Sequence, residues 1–214
     1  MKEFNSNKYL EDIRKKIPGY DLMFELIFNS ILKIEFPNLK INNTLAIGSN
    51  VKEINSLLDT YLVEEIHLIE PSRVMLEMVK EENKNFPNEK KVKYICEKFE
   101  NYKTDKKYDL CLCSLVLQFV EKPDIFLEKI YRALNIGGKL ALSIFSNEQL
   151  NYWREFALSR GANKEQVEKT FSNQKEVMNE LQVLEIEKIL KLIRFKRVEK
   201  VFQVFSTVMW IIEK

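Results

Sequence analysis

Residues 195–205 and 207–213 read as two strands with only Ser206 between them. That near-absence of a connection constrains the fold more than any other feature of the chain. Strands joined so tightly must run antiparallel, because a parallel return needs a dozen residues or more. The preceding chain alternates in a different way. Residues 44–48 form a short apolar run ending in glycine, 51–62 are helical, and 66–69 form a strand that ends at Glu70. Residues 72–86 then make a helix with Ser72 as N-cap and Val74, Leu76, Met78 and Val79 turned inward. A strand at 92–95 follows. The near-continuous apolar run 108–117 marks a strand buried on both faces of a parallel sheet. A helix at 123–134, a turn at Gly137-Gly138 and a buried strand at 139–145 complete the repetition. Strand–helix–strand units at this spacing imply right-handed crossovers and a doubly wound, mainly parallel α/β sheet closed by the antiparallel pair.

Two further regions flank this pattern. At the start, 6–16 and 20–35 read as helices broken at Pro18-Gly19, the second with Leu22, Phe24, Ile27, Phe28, Ile31 and Leu32 on its apolar face. Ahead of the last two strands, 148–160, 164–171 and 174–193 read as helices, with a break at Gly161. The expected organisation is one domain over 1–214, with a helical cap over 1–40 and a helical insertion over 148–193.

Composition removes several chemistries. A single histidine, His67, leaves no zinc-binding helix motif and no histidine-rich metal cluster. Five glycines, at 19, 48, 137, 138 and 161, exclude both phosphate-cradling glycine motifs, so P-loop hydrolysis is not expected. A Rossmann-type dinucleotide enzyme fits less well for the same reason. Lys and Arg total 34 against 32 Asp and Glu, a net charge of +2 that favours neither nucleic acid nor membrane. No apolar run is long enough to cross a bilayer, and 1–16 lacks the apolar core of a secretory signal. Three cysteines make no disulfide framework, and Cys111 and Cys113 share a face of a buried strand as small hydrophobes. A reduced, cytoplasmic protein is expected.

In an open α/β sheet, small molecules bind beyond the carboxyl ends of the strands. Gly48 would let backbone approach a ligand at the start of a helix, whose N–H groups favour a carboxylate or phosphate. Glu70, about 20 residues on, is where an acid accepts hydrogen bonds from both hydroxyls of a ribose. Met75 and Met78 could flank an adenine, although methionines at helical spacing more often belong to the core.

The segments Glu70-Pro-Ser-x-x-Met75, Tyr108-Asp-Leu and Leu127-x-x-Ile130 through Gly138 resemble class I S-adenosyl-L-methionine-dependent methyltransferases. Within that class, four segments are similar to the carboxy-S-adenosylmethionine synthase branch of tRNA wobble-uridine modification. They are Ile17-Pro-Gly-Tyr20, Leu117-Gln-Phe119, Glu128 through Gly138, and Phe202-Gln-Val-Phe205.

The resemblance implies a seven-stranded sheet ending in an antiparallel pair, with S-adenosyl-L-methionine as cofactor and a small-molecule or nucleoside-related methyl acceptor. It puts the cofactor contacts on Tyr20, Gly48, Ser49, Asn50, Glu70, Pro71, Lys98, Phe99 and Ser114. Gln118 and Tyr20 face the transferred group, and Phe99 with Met75 holds the adenine. The chain departs from the family at Ala46, where the first-strand acid is missing, and at Lys52, which replaces a glycine. It departs again at Lys98, which replaces the acid that binds the adenine amine; Glu53 and neighbouring Glu97 are the residues able to restore acidic contacts. Phe171 occupies the place of the arginine that holds the extra carboxylate in the branch, which argues against that branch's chemistry. These departures also admit a catalytically impaired binding or regulatory protein. The resemblance allows a homodimer through 148–193. A further reading, tRNA binding through Lys188, Lys191, Arg194, Lys196, Arg197 and Lys200, competes with a solvated face neutralised by Glu185, Glu187 and Glu199.

Overall fold

The computed structural model describes residues 6–84 and 89–214. Seven strands form one sheet in the order β3-β2-β1-β4-β5-β7-β6. They are β1 (Lys40–Ile47), β2 (Leu62–Ile69), β3 (Val92–Ile95), β4 (Tyr108–Ser114), β5 (Leu134–Phe145), β6 (Arg197–Val204) and β7 (Thr207–Glu213). β1 to β5 pair in parallel, whereas β7 runs antiparallel to both its neighbours. The antiparallel hairpin read from the absent connection is therefore present, and its second strand inserts next to β5.

Side chains alternate across the strands and fill two cores. On one face Leu45, Cys111, Cys113, Leu140 and Leu142 pack with Phe126, Leu127 and Ile130 of α6 (Pro123–Ala133) and with Ile186 and Leu190 of α9 (Val183–Leu192). On the other, Ala46, Leu110, Leu112 and Ala141 belong to a core built from three helical segments. Those are α2 (Tyr20–Leu26), α4 (Val51–Thr60) and α5 (Arg73–Asn83). α2 continues through a π-turn, Ile27–Ile31, into α3 (Leu32–Glu35). The wide turn leaves the Phe28 carbonyl to accept from the Tyr61 hydroxyl at 2.7 Å, so the irregularity carries no buried unpaired carbonyl there. A third, smaller core of Phe145, Trp153, Ala157 and Val167 holds α7 (Leu150–Ser159) and α8 (Lys164–Ser172) over the sheet's edge. α1 (Ser6–Lys16) completes this cap, the Trp153 indole donating to the Lys16 carbonyl at 2.7 Å.

Several expectations need correction. Leu22 and Val74 are exposed, at the flanks of otherwise correct apolar faces. Gly137-Gly138 is no separate turn, because β5 runs through it with a bulge opposite Tyr108–Leu110 and Gly137 in the left-handed region. Residues 174–193 are not one helix. A short turn at Gln174–Glu176 gives way to extended chain, and the helix begins only at Val183. The chain between them is pinned, since Asn179 bonds the carbonyls of Gln118 and Val120 through its N–H and its amide. The predicted helix from 72 ends at Asn83, and residues 85 and 86 lie outside the described residues. His67 is buried, its Nδ1 at 2.7 Å from the hydroxyls of Tyr102 and Tyr108 and its Nε2 at 3.0 Å from Glu65.

Candidate cofactor and acceptor site

The carboxyl ends of β1, β2 and β4 meet in one place. The Gly48 N–H donates to the Ile69 carbonyl at 2.9 Å, and the Glu70 N–H to that of Ile95 at 3.1 Å, so the strand ends are laced together. Gly48 has φ +62°, and a Cβ built there would stand 2.6 Å from Cγ2 of Val116 and 3.8 Å from Oε2 of Glu70. The glycine is thus required twice, by its dihedral and by the space. Gly48→Ala should cost about 2 kcal/mol from left-handed strain plus crowding, against about 1 for Gly137→Ala, whose added methyl meets nothing. Urea denaturation of the two variants tests this; equal losses would remove the steric argument.

Beyond Gly48, Ser49 and Asn50 lead into α4 through a reciprocal cap. Asn50 Oδ1 accepts from the Glu53 N–H at 3.1 Å, and Glu53 Oε2 accepts from the Asn50 N–H at 3.0 Å. The Asn50 amide also donates to the Tyr20 hydroxyl at 2.9 Å, tying the loop to α2. Glu53 is 1% exposed, and burial lifts its carboxyl to about 7 although the Ser114 hydroxyl and the Asn50 N–H favour the charge. Its Oε1 and the buried Ser49 hydroxyl have no hydrogen-bond partner. Glu70 is half-buried, with Oε1 accepting from the Ser72 N–H at 2.7 Å; burial raises its pKa against that bond.

Glu53 apart, which lies behind the wall, these groups border a cavity of about 930 Å³. Of the residues singled out in the sequence, Tyr20, Gly48, Ser49, Asn50, Glu70, Pro71, Met75, Lys98, Phe99, Ser114 and Gln118 line it. Glu97 and Phe171 do not. Phe171 instead lies under the Arg154 guanidinium, 5.3 Å from its ring centre, and Arg154 is held by Glu168. Gln118 reaches the wall, but its amide serves the backbone, donating to the Leu115 carbonyl at 2.7 Å and accepting from the Phe145 N–H at 3.4 Å. Lys52 does not enter the cavity, its ammonium being drawn to Asp21 at 2.5 Å. Ala46 is fully buried in the core beside α4. The thiols of Cys111 and Cys113 are buried, and burial raises both.

Sequence reasoning expects the acceptor to enter between the N-terminal helices and those of 148–193, but names few residues of that half of the wall. Ile13, Lys16 and Ile17 of the first helical segment, Trp153 of α7, Val167 and Thr170 of α8, and Met178 close over the cavity. The sequence reading makes 148–160 and 164–171 helical and, Phe171 aside, assigns none of their residues to a binding wall.

A mainly parallel seven-stranded sheet in this order, with β7 antiparallel, is the Rossmann-like methyltransferase fold. Residues 45–142 match the family described as the methyltransferase domain. Over 99 residues, 46% of this chain, the sequence is 32% identical to malonyl-[acyl-carrier protein] O-methyltransferase 1 of Ilyobacter polytropus. That match spans 36% of the relative's length, about a third. Magnesium protoporphyrin IX methyltransferase from Synechocystis PCC 6803, solved with bound S-adenosylhomocysteine, shares the fold with a TM-score of 0.64 at 13% identity, covering 99% of this chain and 96% of that one. N-methyltransferase NodS from Bradyrhizobium japonicum, also with S-adenosylhomocysteine, gives 0.59 at 11% identity, covering 89% and 87%. Among the described residues no helix is long and apolar enough to cross a membrane.

Proposed function

We propose that the chain is an S-adenosyl-L-methionine-dependent methyltransferase acting on a small molecule. The observation that carries this reading is the bare Gly48 backbone facing Glu70 Oε2 across the laced ends of β1 and β2, on the wall of a large cavity. A Cβ at 48 would collide with Val116 on the same wall, and the unpartnered hydroxyl of Ser49, a wall residue, suits a polar ligand.

Glu70 would accept from the ribose hydroxyls, and Met75 with Phe99 would flank the adenine. Asn50 and the N–H groups opening α4 would meet the methionine carboxylate. Bound there, the sulfonium supplies an activated methyl group, so the protein's task is chiefly to align an acceptor lone pair. Among the described residues neither histidine nor cysteine lines the cavity.

The departures at Ala46 and Lys52 weigh less than their sequence positions suggest. Glu53 supplies a buried acid beside the same loop, and Lys52 is engaged outside the cavity. Lys98, the third departure, stays on the cavity wall while Glu97 lies off it, so the impaired binding protein remains the second reading. Carboxy-S-adenosylmethionine synthesis gains no support, with Phe171 off the wall and Arg154 committed to Glu168. Direct tRNA binding is disfavoured because Lys196, Arg197 and Lys200 are each paired with carboxylates. Calorimetric titration with S-adenosylhomocysteine tests the proposal, with micromolar binding expected. Absence of heat at millimolar ligand would overturn it.

A further inference from the structure

We infer that the cap side of the cavity takes an acceptor with an apolar body and one anionic group, and that Lys16 is the residue that selects the charge. This rests on the methyltransferase reading, because it assigns the cofactor to the opposite half of the same cavity. At about 930 Å³ the cavity lies near the top of the range for small-molecule sites, and its walls are not uniform.

The two halves differ in chemistry. Gly48, Ser49, Asn50 and Glu70 make the floor polar, whereas the cap side contributes Ile17, Trp153, Val167 and Met178, with Phe145 at the end of β5 beneath them. Such a wall favours apolar surface and penalises a ligand rich in unpaired polar groups.

Charge on the cap wall is unevenly compensated. Lys169 pairs with Glu176 at 3.5 Å, and both line the cavity, so they cancel. Lys16 also lines it, and its ammonium, open to solvent, meets the neutral side-chain oxygen of Gln166 at 2.5 Å. Among the described residues no carboxylate lies within ion-pair distance of it. Its backbone is fixed, since the Lys16 carbonyl takes the Trp153 indole N–H. An ammonium whose backbone is anchored beside an apolar wall, and which has no carboxylate partner, is complementary to an anion brought by the ligand.

Two dyes with nearly the same ring system separate the charge from the apolar body. 8-Anilinonaphthalene-1-sulfonate carries one sulfonate, and N-phenyl-1-naphthylamine carries none. Fluorescence titrations would use protein saturated with S-adenosylhomocysteine. The anionic dye should bind about tenfold more tightly than the neutral one, the size expected for one charge-assisted contact. Lys16→Gln should abolish that preference while leaving the neutral dye's affinity unchanged. Val167→Trp, which fills the cap side, should weaken both dyes. Each variant is first shown to bind S-adenosylhomocysteine as the parent does. Equal affinities in the parent, or an anionic preference that survives Lys16→Gln, would overturn the inference. Should S-adenosylhomocysteine fail to bind the parent, the methyltransferase reading falls, and the same dye comparison on the unliganded protein still decides the role of Lys16.

Discussion

Glu70→Ala should lower the affinity for S-adenosylhomocysteine by about 100-fold or more while leaving the thermal unfolding transition within a few degrees of the parent's. The carboxylate ends β2, holds the turn into α5 through the Ser72 N–H, and keeps Oε2 beside Gly48. Two charge-assisted hydrogen bonds to ribose hydroxyls, at about 1.5–3 kcal/mol each, correspond to a loss of at least 100-fold. Glu70→Gln retains one acceptor and should fall between. The fold does not depend on the charge, because burial already works against ionisation of this group. Calorimetry on the three proteins decides the matter. An alanine variant that binds like the parent would place the ribose elsewhere and remove the central support for the cofactor's position.

The second large effect concerns Glu53 and pH. Its carboxyl titrates near 7 in the folded protein against an ordinary value of 4.5. Between those values the folded chain holds a proton that the unfolded chain has released. Stability from this group is therefore present at low pH, falls as pH rises through the window, and is level above about 7. The full excursion is roughly 3 kcal/mol. Urea unfolding of the parent and of Glu53→Gln at about pH 5 and pH 8 isolates the group, since other titrations cancel in the difference. The variant should gain on the parent at the higher pH by about that amount. Parallel profiles would show that the carboxyl titrates normally, and that its environment is wetter than its 1% exposure indicates.

The fold was legible in the sequence where apolar runs are continuous and their ends are punctuated. β1 is an instructive partial case. Its second half, ending at Ile47-Gly48, stood out, whereas its first half, Lys40 to Asn43, is too polar to read as strand. That half is held partly by a distant side chain, the Asp109 carboxylate accepting from the N–H groups of Asn42 and Asn43, which no local pattern encodes. Residues 174–182 misled for the opposite reason: their composition tolerates a helix, but Asn179 is captured by the backbone near Gln118.

The site divides the same way. Gly48 and Glu70 were readable because each terminates a strand, and strand ends converge by topology. Lys16, Trp153 and Val167 were not, because their meeting depends on how three helices cross, which is a tertiary matter. Phe171 shows the hazard of carrying a position across by alignment: the arginine in that neighbourhood is Arg154, one helix earlier and already engaged.

The order of the last two strands bears on how the chain reaches its native state. β6 precedes β7 in the chain yet lies outside it, and touches the rest of the sheet only through it. A nascent polypeptide lacking residues 207–213 would leave β5 with an unsatisfied hydrogen-bonding rim flanked by Leu140, Leu142 and Ile144, the kind of sticky border that recruits other chains. Productive assembly thus waits on seven residues, and deletions there should give aggregates rather than a smaller working protein.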